Sequence, residues 1–203
     1  GTGMAGGAFF DITITGKGAH GARPEDSLDP VVAACHIATA LQTVVARNVP
    51  PLDMGVVSIT KIASGDAYNV IPQSAVMGGT VRTMKRETMT TIETAMKRVV
   101  EGVAAGLGVT ATFDFRLIFA PLINSKEGVA AIADTAVALV GDKNVDRHKA
   151  PATASEDFAF MLEKVPGAYI NVGNGAGSAP VHNHKYDFND EIIPLGSALY
   201  AHL

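Results

Sequence analysis

The sequence predicts a mixed chain of α+β and α/β character in two parts. Residues 8–117 follow the order β-α-β-β-α-β, the pattern of a ferredoxin-like, four-stranded antiparallel sheet with both helices on one face. Residues 118–203 have a different texture, with three helical patterns and one short apolar run. The composition suits a packed core, since 47% of the residues are hydrophobic and only 18% are charged.

Each element has its own signal. Phe10, Ile12 and Ile14 alternate with Asp11, Thr13 and Thr15, which predicts a half-buried strand. Asp29-Pro30 reads as an N-cap followed by a proline at the first helical position. Ala34, Ile37, Leu41, Val44 and Val45 then make an apolar stripe that ends near Arg47. Residues 54–62 and 74–83 are β-rich runs punctuated by Gly65 and Pro72. Ile92, Met96, Val99, Val100, Val103 and Leu107 predict a second amphipathic helix, closed by Gly108. Val109 to Leu117 alternate as the last strand of this part. Beyond it, residues 127–140 read as a helix capped by Gly141, and residues 155–164 as a short helix with Ser155 as its cap. Residues 168–172 predict a short strand. Residues 192–203 predict a final helix, with Asp190 well placed to cap it.

Composition also excludes function classes. The formal net charge is −4 and no Lys/Arg run stands out, which argues against a nucleic-acid partner. No apolar stretch is expected to reach the ~20 residues that span a bilayer, so no membrane partner is expected. Cys35 is alone, so there is neither a disulfide framework nor a Cys-rich zinc site. It is expected to fill core on the first helix, and a lone thiol fits a reducing, cytoplasmic location. Gly1-Thr2-Gly3-Met4-Ala5-Gly6-Gly7 is neither a signal peptide nor an obvious start, and the last helical pattern ends uncapped at Leu203. The chain is therefore expected to be a piece of a longer one.

Chemistry-bearing residues cluster in four motifs. His20 lies between glycines in Gly16-Lys17-Gly18-Ala19-His20-Gly21-Ala22-Arg23-Pro24, where backbone freedom lets an imidazole project into a cleft. Asn69-Val70-Ile71-Pro72 is followed by Gly79-Thr80-Val81-Arg82, and a guanidinium can grip a carboxylate through two parallel hydrogen bonds. Glu156 and Asp157 sit in Ser155-Glu156-Asp157-Phe158. His182-Asn183 leads to Tyr186-Asp187-Phe188-Asn189-Asp190, a polar segment whose imidazole is a candidate metal ligand. Gly173-Asn174-Gly175-Ala176-Gly177 lacks the Lys-Ser/Thr of a phosphate loop and reads as a flexible turn. His36, His148 and His202 are expected to be solvated.

Together the four motifs, in this order, resemble the M20 metallopeptidase/amidohydrolase family, in particular its N-acyl-amino-acid hydrolases of the hippurate and auxin-conjugate type. The resemblance implies a lid, residues 8–117, that mediates homodimerisation. It also implies that residues 118–203 form the C-terminal part of an α/β zinc-exopeptidase-like catalytic domain. The family's N-terminal metal motif and Glu-Glu pair do not occur here, so the chain on its own is expected to be inactive. The implied reaction is hydrolysis of the amide of an N-acyl amino acid or peptide by water bridging two divalent metals (Zn, Mn, Ni or Co). By resemblance His182 is a metal ligand, and His20 donates to the developing oxyanion in the partner subunit's site. Asn69 and Arg82 form a substrate-binding pair, and Glu156 is the better candidate of its acidic pair for a substrate contact. Where the family usually has proline this chain has His184, which receives no ligand role. Two other readings stay open. One is a non-catalytic dimerisation or small-molecule-binding module; the other is an M20 dipeptidase or carboxypeptidase.

Overall fold

A computed structural model describes residues 1–203. In chain order its strands are β1 (Thr2–Met4), β2 (Gly6–Thr15), β3 (Ala19–His20), β4 (Gly55–Ser64), β5 (Val70–Ile71), β6 (Ser74–Thr83), β7 (Thr110–Phe119) and β8 (Leu122–Ile123). Its α-helices are α1 (Pro30–Asn48), α2 (Arg86–Gly106), α3 (Lys126–Val140), α4 (Phe158–Leu162) and α5 (Ile193–His202).

The central sheet has the antiparallel order β4-β6-β2-β7, with α1 and α2 packed together on it. That is the expected ferredoxin-like arrangement. Side chains alternate along β2, so Phe10, Ile12 and Ile14 point inward and are buried with Met77 and Val81 of β6. The helices close the layer with Ile37, Leu41 and Val44 from α1 and Ile92, Met96 and Val100 from α2. One glycine is fixed by this packing. A Cβ at Gly79 would lie 1.9 Å from the Ser58 carbonyl oxygen and 2.8 Å from Cζ of Phe10, so the aromatic ring occupies the space a side chain would need.

Helix α1 starts where the sequence says it should. The Asp29 carboxylate accepts from the amides of Val31 at 2.8 Å and Val32 at 3.2 Å, and Pro30 sits in the first turn. Its length and apolarity meet the composition expected of a membrane span, contrary to the expectation from sequence. Its inward face, however, is part of the core beneath the sheet. Cys35 corrects a second expectation, because it is exposed on the outer face of this helix rather than filling core.

After Phe119 the chain pairs β8 with β1, sets α4 against β8 around a small apolar contact of Ala120, Leu122 and Ala159, and packs α3 against α5. The helix predicted for residues 127–140 forms as α3, capped by Ser125, whose hydroxyl accepts from the Gly128 amide at 3.0 Å. Three expectations fail here. Helix α4 begins at Phe158, and Ser155 caps nothing. Residues 168–172 form no strand, since no neighbouring strand offers a ladder; the Asn124 side chain instead pairs with the backbone of Tyr169 in both directions. Asn189 rather than Asp190 caps the turn into α5, accepting from the Glu191 amide at 3.0 Å.

Candidate active site

His20 stands at the tip of a small ladder away from the main sheet. Strand β3 pairs with β5 so that His20 faces Val70, and the Gly21 amide donates to the Asn69 carbonyl at 2.7 Å. His20 and Asn69 are thereby brought side by side, both exposed. Imidazole Nδ1 accepts from the Ala22 amide at 3.0 Å. The approach to this tip is very close: a Cβ at Gly16 would lie 2.0 Å from the Leu28 carbonyl oxygen. The glycines beside His20 thus serve tight threading as well as the freedom inferred from sequence.

Arg82 lies at the other end of β6. Its Nη1 donates to Thr80 Oγ1 and to the Val81 carbonyl, and it converges with the Ser155 hydroxyl over the bare backbone of Gly7. A Cβ at Gly7 would be 3.1 Å from Arg82 Nη1 and 3.1 Å from Ser155 Oγ. Ser155 Oγ is buried there without a hydrogen-bond partner. Next to it, Glu156 accepts from the Tyr169 hydroxyl at 3.2 Å and from the Asp157 amide at 3.1 Å. Burial, and then the neighbouring Glu156 charge, push the Tyr169 phenol above its ordinary pKa, so it remains a neutral donor to that carboxylate. Tyr169 had no signal in the sequence, because its role depends on a partner thirteen positions away.

His182 has a left-handed backbone, φ 66°, alone among the non-glycine residues. That conformation is uncommon for residues with a side chain, although histidine tolerates it better than most. The turn is closed by the Asn183 amide donating to the Pro180 carbonyl at 3.2 Å, and the imidazole is exposed. Asn174 ties the preceding glycine-rich turn to this segment, donating to the Asp187 carbonyl and accepting from the Asn189 amide, each at 2.7 Å. No group of three or more His, Cys, Asp or Glu side chains is gathered so as to hold a metal ion. His182 is therefore a single candidate ligand, and the residues of this chain do not by themselves form a metal site.

The five residues fall into separate places. Gly7 pairs with Arg82 at one end of β2, while Thr15 pairs with Ser74 at the other, next to the His20 tip. Eight residues of strand separate these ends, about 26 Å at ~3.3 Å per residue. The pair Asn69 and Arg82, expected together from sequence, is split: Asn69 accompanies His20, and Arg82 accompanies Ser155 and Glu156. A groove of about 380 Å³ beside Ile123, Leu162 and Val165 is lined by none of the five.

Residues 4–203 match the sequence model of peptidase family M20/M25/M40. The chain is 37% identical over 194 residues to the N-acetylcysteine deacetylase of Bacillus subtilis, covering 96% of this chain and 50% of that protein. It is 33% identical over 200 residues to the hippurate hydrolase of Campylobacter jejuni, covering 98% of this chain and 52% of that protein. Its fold superposes with a TM-score of 0.79 on the YXEP protein of Bacillus subtilis, described as a dinuclear metal-binding peptidase. That similarity extends over 100% of this chain and 50% of the other at 32% identity. The chain spans about half the length of the relatives it matches. With the family match running from residue 4 to residue 203, this chain belongs to peptidase family M20/M25/M40.

Proposed function

We propose that this chain forms the lid, residues 8–117, and the C-terminal part of the catalytic domain, residues 118–203, of an amidohydrolase that cleaves the amide of N-acyl amino acids as a homodimer. The observation that carries this reading is the separation of the two residue sets along β2. His20 with Asn69 and Arg82 with Glu156 stand too far apart in one chain to hold one small substrate. A second copy related by a two-fold axis brings the tip of one lid to the carboxylate-binding end of the other. The relatives named above, a deacetylase of N-acetylcysteine and a hydrolase of hippurate, act on substrates of this class.

In this reading Arg82 grips the free carboxylate of the substrate in a fork that lysine cannot reproduce. His20 and Asn69 reach in from the partner subunit. The imidazole donates a hydrogen bond where negative charge develops on the carbonyl oxygen. Glu156, held by Tyr169, lines the substrate side. His182 is one ligand of the two divalent metals of the complete protein. Because this chain supplies that ligand alone, the chemistry assigned to its residues is binding and charge stabilisation.

Mixing variants of the full-length protein tests the arrangement. His20→Ala and Arg82→Ala are each expected to lower turnover of hippurate or N-acetylcysteine, His20→Ala by about 10²–10³. After mixing and subunit exchange, half the dimers are mixed and each has one intact site, so about a quarter of the activity returns. No recovery, with exchange verified by mass, would overturn action across the dimer. A strict monomer by light scattering at high concentration would count against the dimer itself.

A further inference from the structure

The segment that carries His20 has almost no side-chain packing to hold it. Gly16, Gly18 and Gly21 have no side chains, and a Cβ at Gly18 would lie 2.9 Å from the Ile71 carbonyl oxygen. Strands β3 and β5 contribute only two paired positions. Glycines are also costly to order, because they lose the most backbone freedom on folding. Two backbone hydrogen bonds between Lys17 and Leu28 hold one side of the segment, and Gln73 holds the other.

Gln73 bonds to the segment three times. Its side-chain carbonyl accepts from the Gly18 amide at 3.1 Å, its side-chain NH2 donates to the Gly16 carbonyl at 2.7 Å, and its backbone carbonyl accepts from the Gly16 amide at 2.9 Å. The side-chain amide thus continues the ladder where the backbone of β5 has turned away. Two positions past His20, the Ala22 amide donates to Nδ1 at 3.0 Å. An N–H can bond only to a ring nitrogen with a free lone pair, so in the neutral imidazole the proton resides on Nε2.

We propose that Gln73 is the positioning residue of His20: its amide clamps Gly16 to Gly18 so that the Ala22 amide meets Nδ1 and Nε2–H is left as the outward donor. The use of that donor in catalysis rests on the function proposed above; the tautomer and the clamp do not. Neutral imidazole with its proton on Nε2 is the form that can donate to a developing oxyanion without a net charge of its own.

The test is an imidazole nitrogen-15 spectrum of the 203-residue chain above the histidine titration range, with His20 assigned by loss of its signals in His20→Gln. His20 is expected to show a bare Nδ1 and a protonated Nε2. In Gln73→Leu the His20 signals are expected to shift toward a tautomer mixture, and exchange of the Gly18 amide to quicken by about tenfold or more. Amide shifts of β2 and β6 report whether the sheet is intact. Gln73→Glu keeps the acceptor for Gly18 but loses the donor to Gly16, so its exchange should fall between the two; it carries the test if the leucine variant does not fold. In the full-length protein Gln73→Leu should lower kcat about tenfold or more with KM within twofold, the pattern of a misplaced group. A proton on Nδ1 in the unchanged chain, or His20 signals indifferent to both Gln73 variants, would overturn the proposal. Because the spectrum needs no turnover, it can fail while the mixing experiment succeeds, and the reverse.

Discussion

From Ala8 to Val109 nineteen buried residues make one continuous core, whereas beyond Phe119 the buried cluster consists of Ala120, Leu122 and Ala159. The two regions are not made of very different material. Apolar residues recur along α3 and α5 as they do along α1 and α2. What differs is whether a surface faces them. Each inward row of the main sheet meets a helix, and each helix meets the sheet. In the second region Met161 is 64% exposed, Val165 66% and Tyr200 80%. An apolar stripe becomes core only when another element covers it.

The sharpest way to break that comparison is a pair of truncations. Phe10 is 1% exposed and rests on Gly79, so Phe10→Ala leaves a cavity that cannot close without moving the sheet. It should cost about 3–5 kcal/mol. Met161→Ala removes a side chain already in solvent and should stay within ~0.5 kcal/mol. Urea unfolding followed by separate probes in the two regions measures both. Similar costs would mean that the second region is as well packed as the first, and the contrast would fall.

The same contrast explains what the sequence made legible. In the sheet region, period-two alternation and helical stripes identified each long element, because burial there follows local pattern and the partner surfaces lie within the region. The errors in placing elements and caps gather after Phe119. A strand over residues 168–172 needed a ladder, and only the Asn124 amide was there to meet Tyr169. Ser155 looked like a cap by composition, yet its hydroxyl faces Gly7 and Arg82 from the far side of the chain. In the site, His20, Asn69, Arg82, Glu156 and His182 stood out as motif residues. Gln73 and Tyr169 did not, since their significance lies in contacts across 57 and 13 positions that no local spacing reveals.

A smaller effect is expected at the turn before His182. Asn174 donates to Ser178 at 2.6 Å and to the Asp187 carbonyl at 2.7 Å, and accepts from the Asn189 amide at 2.7 Å. Asn174→Ala removes all three and should cost about 1–2 kcal/mol locally. Hydrogen exchange would locate the change: faster exchange at Asn189, with β2 and β6 unaltered. If protection were lost in the sheet as well, the two regions would be coupled more tightly than their separate cores suggest.

A smaller effect than that at Asn174 lies on the outer face of the sheet, where it tests whether charge adds to a region already held by its core. Asp11 of β2 is bonded by Arg116 from the adjacent β7 and, at 2.6 Å, by Lys61, which reaches across Gly78 of β6 from β4. The hydrogen bond from Lys61, followed by that from Arg116, holds the carboxyl below the usual carboxylate range. A carboxyl whose pKa falls on folding stabilises the folded state once it is ionised in both states. Its contribution is therefore complete above about pH 3.9 and is lost as pH falls through the lower folded value. The side chain is 39% exposed, so water and salt screen the pairs and the gain should be at most about 0.5–1 kcal/mol. Asp11→Asn should lower the midpoint of urea unfolding slightly at neutral pH, with the difference shrinking at low pH and in high salt. A difference that persisted under either condition would assign the loss to packing rather than charge.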